Sequence, residues 1–193
     1  MKSLSVFCGA SAGNKEIYKL KAEELGRKMT EKNIDLIFGG GKVGMMGFIA
    51  DEVLKNKGKA IGIIPLFLSS KEIEHSGCTE IIRTETMHER KMEIFKRSEG
   101  AIAMPGGFGT FDEVFEMLTW AQLGLHQYPI GFLNINSYYD HLYKMLENMK
   151  DEGFLKQSHL DMIIIDEDVD SLLYKMENHI APNVPKWIKE DEV

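Results

Sequence analysis

The sequence predicts an α/β fold in which helices cover both faces of one parallel sheet. Short apolar segments alternate with longer amphipathic segments along the whole chain, as strands alternate with helices in such folds. Three predicted strands lead into loops of glycine and other small residues, at 9–13, 39–44 and 105–110. Parallel strands bring such loops to one edge of the sheet, where these folds bind ligands. We therefore predict a Rossmann-like, doubly wound parallel sheet in a single domain over residues 1–181, followed by a C-terminal tail over 182–193.

The individual elements follow from the spacing of apolar residues. Strands are predicted for short apolar runs with polar or glycine-containing boundaries, at 3–8, 35–38, 60–64, 79–83, 101–104, 130–133 and 162–165. Helices are predicted where apolar residues recur at helical spacing, at 15–31, 44–55, 87–98, 110–123, 138–151 and 169–176. Asn14 is expected to cap the first helix, Pro65 to end the third strand, and residues 66–78 to be irregular.

Composition excludes several classes of function. The chain has 193 residues, of which 44% are apolar and 27% charged, as is normal for a soluble globular protein. A net charge of −7 and the lack of a long Lys/Arg run argue against a nucleic-acid partner, although a small anion needs only a local positive site. Cys8, Cys78 and the scattered histidines form no disulfide framework or metal-ligand spacing. With no signal peptide or long apolar run, the protein is expected to be cytoplasmic, with no membrane partner.

The stretch Met104–Glu113 carries the strongest functional signal. A short apolar strand enters a glycine turn, which opens a long apolar helix. Glycines in such a turn allow backbone N–H groups to close on an anion where a Cβ would clash. The spacing fits neither the Walker lysine loop nor the dinucleotide-binding loop, and it adds a carboxylate, Glu113, in the first helical turn.

Glu113 has two interpretations. In the first, residues 110–113 form a capping box, and the carboxylate only fixes the start of the helix. In the second, the charge is functional, because Glu113 lies on the side of Met117 and Trp120, where an unused charge would be costly. A glutamate near a helix N-terminus is expected to stay ionised at neutral pH, which suits an electrostatic stabiliser or a base. A helix that is apolar on nearly all sides is either buried or shared with a partner chain.

A second constellation is Met87-His88-Glu89-Arg90-Lys91, where two cations interrupt an apolar helix face. In the structural interpretation, their long stems pass the core and place the charges in solvent. In the functional interpretation, Arg90 and Lys91 supply the positive charge that an acidic protein otherwise lacks. Their helix leads into the strand before the glycine loop, so we expect both side chains to approach that loop.

Together these motifs resemble the "lonely guy" family of cytokinin riboside 5′-monophosphate phosphoribohydrolases, which are often mislabelled as lysine decarboxylases. Residues 105–113 match its PGGxGTxxE signature, and residues 87–91 resemble its second motif, M-H-x-R-K, at the family's separation. Segments 7–11 and 39–47 are also similar, and the resemblance extends over about residues 3–180.

The resemblance implies hydrolysis of the N-glycosidic bond of nucleoside 5′-monophosphates to a free base and ribose 5-phosphate, by a homodimer that needs no metal or other cofactor. Arg90 and Glu113 would be the catalytic pair, and Gly107 to Thr110 would hold the 5′-phosphate. The implied substrate-binding residues are Glu72, Met87, Arg90, Lys91, Gly106, Gly107, Phe108, Gly109, Thr110, Glu113 and Thr119. At Glu72 the sequence departs from the family, because the segment 72–77 is longer than the usual E-I-T-G and lacks the threonine.

The implied chemistry agrees with the interpretation of the residues. Glycosidic cleavage passes through an oxocarbenium-like transition state, which an ionised Glu113 near the ribose would stabilise. Two alternatives remain. One is a nucleotide or phosphorylated-cofactor carrier without turnover, which needs the glycine loop but not the carboxylate. The other is a related hydrolase whose main substrate is AMP rather than a cytokinin nucleotide.

Overall fold

The computed structural model describes residues 1–69 and 73–182. These residues include seven strands in one all-parallel sheet of order β4-β3-β2-β1-β5-β6-β7. The strands are β1 (Ser3–Phe7), β2 (Asp35–Phe38), β3 (Ala60–Pro65), β4 (Glu80–Thr84), β5 (Ala101–Ala103), β6 (Ile130–Leu133) and β7 (Ile163–Asp166). The sheet grows outward from β1 in one direction to β4 and from β5 in the other to β7. The predicted doubly wound fold is confirmed, with its topological switch point between β1 and β5.

Helices cover both faces of the sheet. They are α1 (Glu16–Glu31), α2 (Gly44–Lys55), α3 (Leu66–Leu68), α4 (Met87–Lys96), α5 (Phe108–Gln122), α6 (Asp140–Asp151), α7 (Gln157–Leu160) and α8 (Val169–Glu177). Buried residues of α1, α2 and α8 form one apolar cluster, and those of α4 and α5 belong to a second. Successive strand residues alternate between the two clusters: Ile102 belongs to the first, whereas Ala101 and Ala103 belong to the second.

The structure corrects several predicted boundaries. Asn14 does not cap α1, because Lys15 occupies the N-cap position and makes no side-chain hydrogen bond there. Pro65 is the last residue of β3 and pairs with Thr84, whereas the strand was expected to stop before it. Leu66–Leu68 form a short helix within the stretch that was predicted to be irregular. The four-residue helix α7 was not predicted at all.

Two predictions fall outside the described residues. Glu72 is one of them, and the tail beyond Pro182 is the other, so the domain boundary at residue 181 stays a prediction. In the part of the chain that the structure describes, no helix combines the length and the apolar character needed to cross a membrane.

Candidate active site

The carboxyl ends of β1, β2 and β5 meet around a cleft of about 530 Å³ at the switch point of the sheet. All three predicted small-residue loops contribute to its wall or rim, as expected for parallel strands. The residues that line the cleft are Val6, Cys8 to Gly13, Tyr18, Gly39, Met45, Met46, Arg90, Pro105 to Gly107, Gly109, Thr110, Glu113 and Tyr138.

Backbone hydrogen bonds lock these loops together. The Gly9 N–H donates to the Pro105 carbonyl at 3.1 Å, and the Met45 N–H donates to the Gly9 carbonyl at 3.0 Å. A Cβ added to Gly106 would lie 2.8 Å from the backbone nitrogen of Gly9, so only glycine fits at this approach. Gly44 has a φ of +64°, and a Cβ there would overlap the backbone of the first loop. The framework of the cleft is therefore built from backbone contacts.

The N-terminus of α5 presents backbone donors that the helix itself does not satisfy. Gly107 is the N-cap and supplies no side-chain cap, and the Phe111 N–H donates to its carbonyl at 3.3 Å. The first N–H groups of a helix, here those of Phe108, Gly109 and Thr110, have no acceptor within it. A Cβ on Gly107 or Gly109 would have no heavy atom within 4 Å. Neither protein packing nor a positive φ requires these two glycines, and the open space beside them suits an anion at the positive end of the helix dipole.

Arg90 on α4 and Glu113 on α5 form an ion pair. Arg90 Nη1 lies 2.9 Å from Glu113 Oε1, and the side chains are only 12% and 11% exposed. Arg90 Nε donates to the carbonyl of Ile63, in the second half of β3, at 3.0 Å. Its guanidinium also lies against Gly39, where a Cβ would overlap it. The arginine is therefore held by two partners and a close backbone contact, and both members of the pair line the cleft.

Burial, the largest influence on Glu113, raises the pKa of its carboxyl above the ordinary value, while the Arg90 guanidinium acts to lower it. The sequence prediction took the ionised state of Glu113 from the helix dipole, and it used the cost of a buried charge only as an argument for function. The capping-box interpretation is wrong, because α5 begins at Phe108 with Gly107 as its N-cap, ahead of Thr110.

Lys91 lies behind Glu113, in a small separate cavity that also includes Trp120. Its Nζ is 2.9 Å from Asp112 Oδ2 and 3.5 Å from Glu116 Oε1. The ammonium neutralises two carboxylates that would otherwise repel charge on Glu113, and it links α4 to α5. Its charge is paired with these carboxylates and its side chain is 14% exposed, whereas the structural interpretation of the sequence placed the charge in solvent.

The remaining predicted residues divide into two groups. Gly106, Gly107, Gly109 and Thr110 line the cleft together with the Arg90–Glu113 pair. Outside that lining are the half-buried Met87, Phe108, whose side chain is 95% exposed, and Thr119, whose hydroxyl donates to the Phe115 carbonyl at 2.7 Å. The binding roles of these three, of Lys91 and of Glu72 stay predictions.

Sequence reasoning missed two tyrosines in the cleft wall, Tyr18 and Tyr138. Tyr138 donates its hydroxyl hydrogen to the Gly106 carbonyl at 2.6 Å. Its ring meets the edge of Tyr18, with ring centroids 6.3 Å apart. The available signal was position: Tyr138 follows β6, and the carboxyl ends of all parallel strands meet at one edge.

The arrangement joins an anion-binding helix terminus to a buried carboxylate–guanidinium pair. Such a carboxylate can stabilise a developing cation or accept a proton from water, and the arginine can orient it. Cys8 also lines the cleft, but burial, followed by the nearby Glu113, raises the pKa of its thiol, so the thiolate is disfavoured. Among residues 1–69 and 73–182, no group of three or more His, Cys, Asp or Glu side chains could hold a metal ion.

Comparison with known proteins identifies relatives that match most of the chain. Residues 46–176 match the sequence model of a family described as "Possible lysine decarboxylase". Cytokinin riboside 5′-monophosphate phosphoribohydrolase LOG1 of Arabidopsis thaliana is 41% identical over 179 residues, which cover 93% of this chain and 84% of the relative. LOG2 of the same plant is 40% identical over 179 residues, with the same coverage of both chains.

Solved structures show the same fold. The molybdenum cofactor binding protein from Rippkaea orientalis has a TM-score of 0.69 at 20% identity and covers 91% of this chain and 95% of its own. The Moco carrier protein from Chlamydomonas reinhardtii has a TM-score of 0.67 at 18% identity, with the same coverage. At such low identity these two structures support the fold alone. Because relatives about 40% identical match it along nearly its whole length, the chain belongs to the family of the cytokinin riboside 5′-monophosphate phosphoribohydrolases.

Proposed function

We propose that this protein hydrolyses the N-glycosidic bond of nucleoside 5′-monophosphates, namely cytokinin riboside 5′-monophosphates, AMP or both, to a free base and ribose 5-phosphate. The observation that carries the proposal is the Arg90–Glu113 pair, which shares one cleft with the open N-terminus of α5. The names of the Arabidopsis relatives describe the same activity.

The N-terminus of α5 would hold the 5′-phosphate. Gly106 to Thr110 surround the free N–H groups of the first helical turn, and a negative ligand is favoured there by both hydrogen bonds and the helix dipole. Arg90 lies in the same cleft, where Glu113 balances its charge, so the helix terminus supplies the local positive potential. An acidic protein with a net charge of −7 can thus bind a nucleotide through a local positive site.

Glu113 would act on the ribose. As the C–N bond breaks, its electron pair moves to the base, and positive charge develops on the anomeric carbon and the ring oxygen. An ionised Glu113 stabilises this charge and accepts a proton from the water that adds to the anomeric carbon. The leaving base takes a proton from solvent, and Glu113 then returns its proton to solvent, so one water is consumed. Arg90 fixes the carboxylate in place through the 2.9 Å contact.

Gly109→Ala tests the phosphate half of the site. The added methyl group fits the protein, since no heavy atom lies within 4 Å, and alanine should raise the free energy of unfolding by about 0.5–1 kcal/mol. The same methyl group would occupy space beside the phosphate donors, so we expect KM for AMP to rise about tenfold, the equivalent of about 1.4 kcal/mol. Steady-state kinetics and urea denaturation measure the two effects. An unchanged KM would contradict a phosphate at this position.

The activity itself is tested by incubating the purified protein with AMP and N6-isopentenyl-AMP and separating the products by chromatography. Adenosine and 3′-AMP are matched controls, because they carry the same base without a 5′-phosphate. Free base and ribose 5-phosphate from the 5′-monophosphates alone is the expected result. Binding of these nucleotides without release of base would overturn the proposal in favour of a carrier, and relative rates would show which base is preferred.

We further expect a homodimer that uses α5. Phe111, Phe115 and Leu118 share one face of this helix and are only partly buried within one chain, although all three are large and apolar. A second copy of the chain would cover this face and remove apolar surface from water. Light scattering at micromolar protein should give about twice the chain mass of 21.9 kDa, and a monomeric mass would contradict the expectation.

A further inference from the structure

We propose that Tyr138 is a positioning residue for phosphate binding: its hydroxyl fixes the peptide that leads into the N-terminus of α5. The inference rests on the proposed function, because it assigns the phosphate to that terminus. Neither sequence motif contains this residue, which lies after β6 in a different part of the chain. Its neighbour Tyr139 also donates to a carbonyl of this loop, but from a fully buried position in the core.

Three consecutive carbonyls of the glycine loop are each held by a different donor. Tyr139 donates its hydroxyl hydrogen to the Met104 carbonyl at 2.6 Å, and Tyr138 does the same to the Gly106 carbonyl at 2.6 Å. Between them, the Pro105 carbonyl accepts from the Gly9 N–H at 3.1 Å. The loop therefore enters α5 with its backbone orientation already set by the protein, without any ligand.

Fixing the Gly106 carbonyl also fixes the group on the other side of the same peptide. A trans peptide is planar, so the direction of the Gly106 carbonyl determines the direction of the Gly107 N–H. Gly107 is the N-cap of α5, and its backbone sets where the next three N–H groups begin. Glycine has the widest range of accessible backbone conformations, so a loop with glycines at 106, 107 and 109 needs an external constraint to stay in one of them.

The turn that carries the tyrosines adopts an unusual backbone to place them. Asn136 and Ser137 both have positive φ values, of 53° and 58°, in a region that residues with a Cβ seldom occupy. Asn134 stabilises the turn, because its side chain accepts from the Tyr139 N–H at 2.7 Å and donates to Asp140 at 2.8 Å. Strained turns of this kind persist where the surrounding contacts demand them, often at functional sites.

Tyr138 and Tyr139 differ in whether burial forces the hydroxyl to find a hydrogen-bond partner in the protein. Tyr139 is 1% exposed, so its hydroxyl must find a partner inside the protein, whatever the function. Tyr138 is 39% exposed and lines the cleft, so water could satisfy its hydroxyl. Burial therefore does not explain the hydrogen bond from Tyr138 to the loop. A substitution at Tyr138 can test whether this bond positions the loop, without disturbing the packing of the core.

Tyr138→Phe is the test, since it keeps the ring beside Tyr18 and removes only the hydroxyl. We expect KM for AMP and Kd for inorganic phosphate and ribose 5-phosphate to rise about tenfold, as the loss of one hydrogen bond near an anion site predicts. The value of kcat and the melting temperature should stay close to those of the wild type. Tyr174→Phe is the matched control, because this tyrosine is 67% exposed on α8, and it should change neither constant.

Calorimetric titration with phosphate and ribose 5-phosphate separates this inference from the proposed function, because it needs no turnover. A wild type that binds both compounds but hydrolyses no nucleotide would defeat the proposed function, and the titration would still test Tyr138. Unchanged KM and Kd in folded Tyr138→Phe would overturn the inference. So would a fall in kcat and melting temperature without a change in Kd, which would indicate a structural role, or a wild type that binds neither compound.

Discussion

Glu113→Gln is expected to lower kcat for nucleotide hydrolysis by about 10²–10⁴-fold while the folded protein still binds AMP. Glutamine has nearly the same volume and can still accept a hydrogen bond from Arg90 Nη1, but it carries no charge to stabilise an oxocarbenium-like transition state. Single-turnover kinetics with AMP and calorimetric titration measure the two properties separately. A folded variant with wild-type turnover would remove Glu113 from the mechanism.

Glu116→Gln is a matched control for this substitution. Glu116 lies on the same helix, and its carboxylate is 3.5 Å from Lys91 Nζ. The carboxylate that forms the ion pair with Arg90 is that of Glu113. Glu116→Gln should retain most of the activity.

The pH profile of the wild type adds a second check on Glu113. Burial raises the pKa of its carboxyl above the ordinary 4.5, and the ionised form is the active one. The wild-type rate should therefore fall as the pH is lowered through that raised pKa.

Arg90→Ala is expected to abolish turnover and to lower the free energy of unfolding by about 3–5 kcal/mol. The loss of stability arises because Glu113 would be left buried without its counter-ion, a costly state for a carboxylate. The hydrogen bond to the Ile63 carbonyl would be lost as well. Activity assays and urea denaturation give the two quantities, and an active Arg90→Ala protein would contradict the proposed role.

The double variant Arg90→Met/Glu113→Leu separates stability from catalysis. Replacing both charges with apolar side chains removes the buried, unpaired carboxylate, so much of the stability lost in Arg90→Ala should return. Activity should not return, because neither charge is present. If the double variant were no more stable than Arg90→Ala, the uncompensated charge would not be the cause of the instability.

Much of the fold could be read from the sequence because local signals agree with one another. The bounds of β2, α2 and β6 were predicted to the residue, since apolar runs there are bounded by glycine, proline or polar residues. The start of α5 was predicted two residues late. Glycine has a low helix propensity, so Gly109 was assigned to the loop, yet the Phe111 N–H reaches the Gly107 carbonyl and extends the helix by most of a turn.

The candidate site was predictable where it depends on residue type and not where it depends on tertiary contacts. The motifs identified Arg90 and Glu113, and the structure brings these two side chains together. The ionised state of Glu113 at neutral pH stays a prediction, and the direction in which burial shifts its pKa could not be obtained from periodicity alone. Tyr138 and Tyr139 were missed because they act through backbone carbonyls of a distant loop, and position after β6 was their only sequence signal.

The origin of the three donors that hold the glycine-loop carbonyls has a consequence for how the protein matures. Gly9 comes from the first strand connection, and Tyr138 and Tyr139 come from the connection after β6. The anion cradle is therefore complete only after most of the chain has been synthesised and the strands on both sides of β5 have docked. A nascent or partly folded chain would lack it. Nucleotide present in the cell would then act as a selective stabiliser of the finished molecule, because it binds the native state and not its precursors.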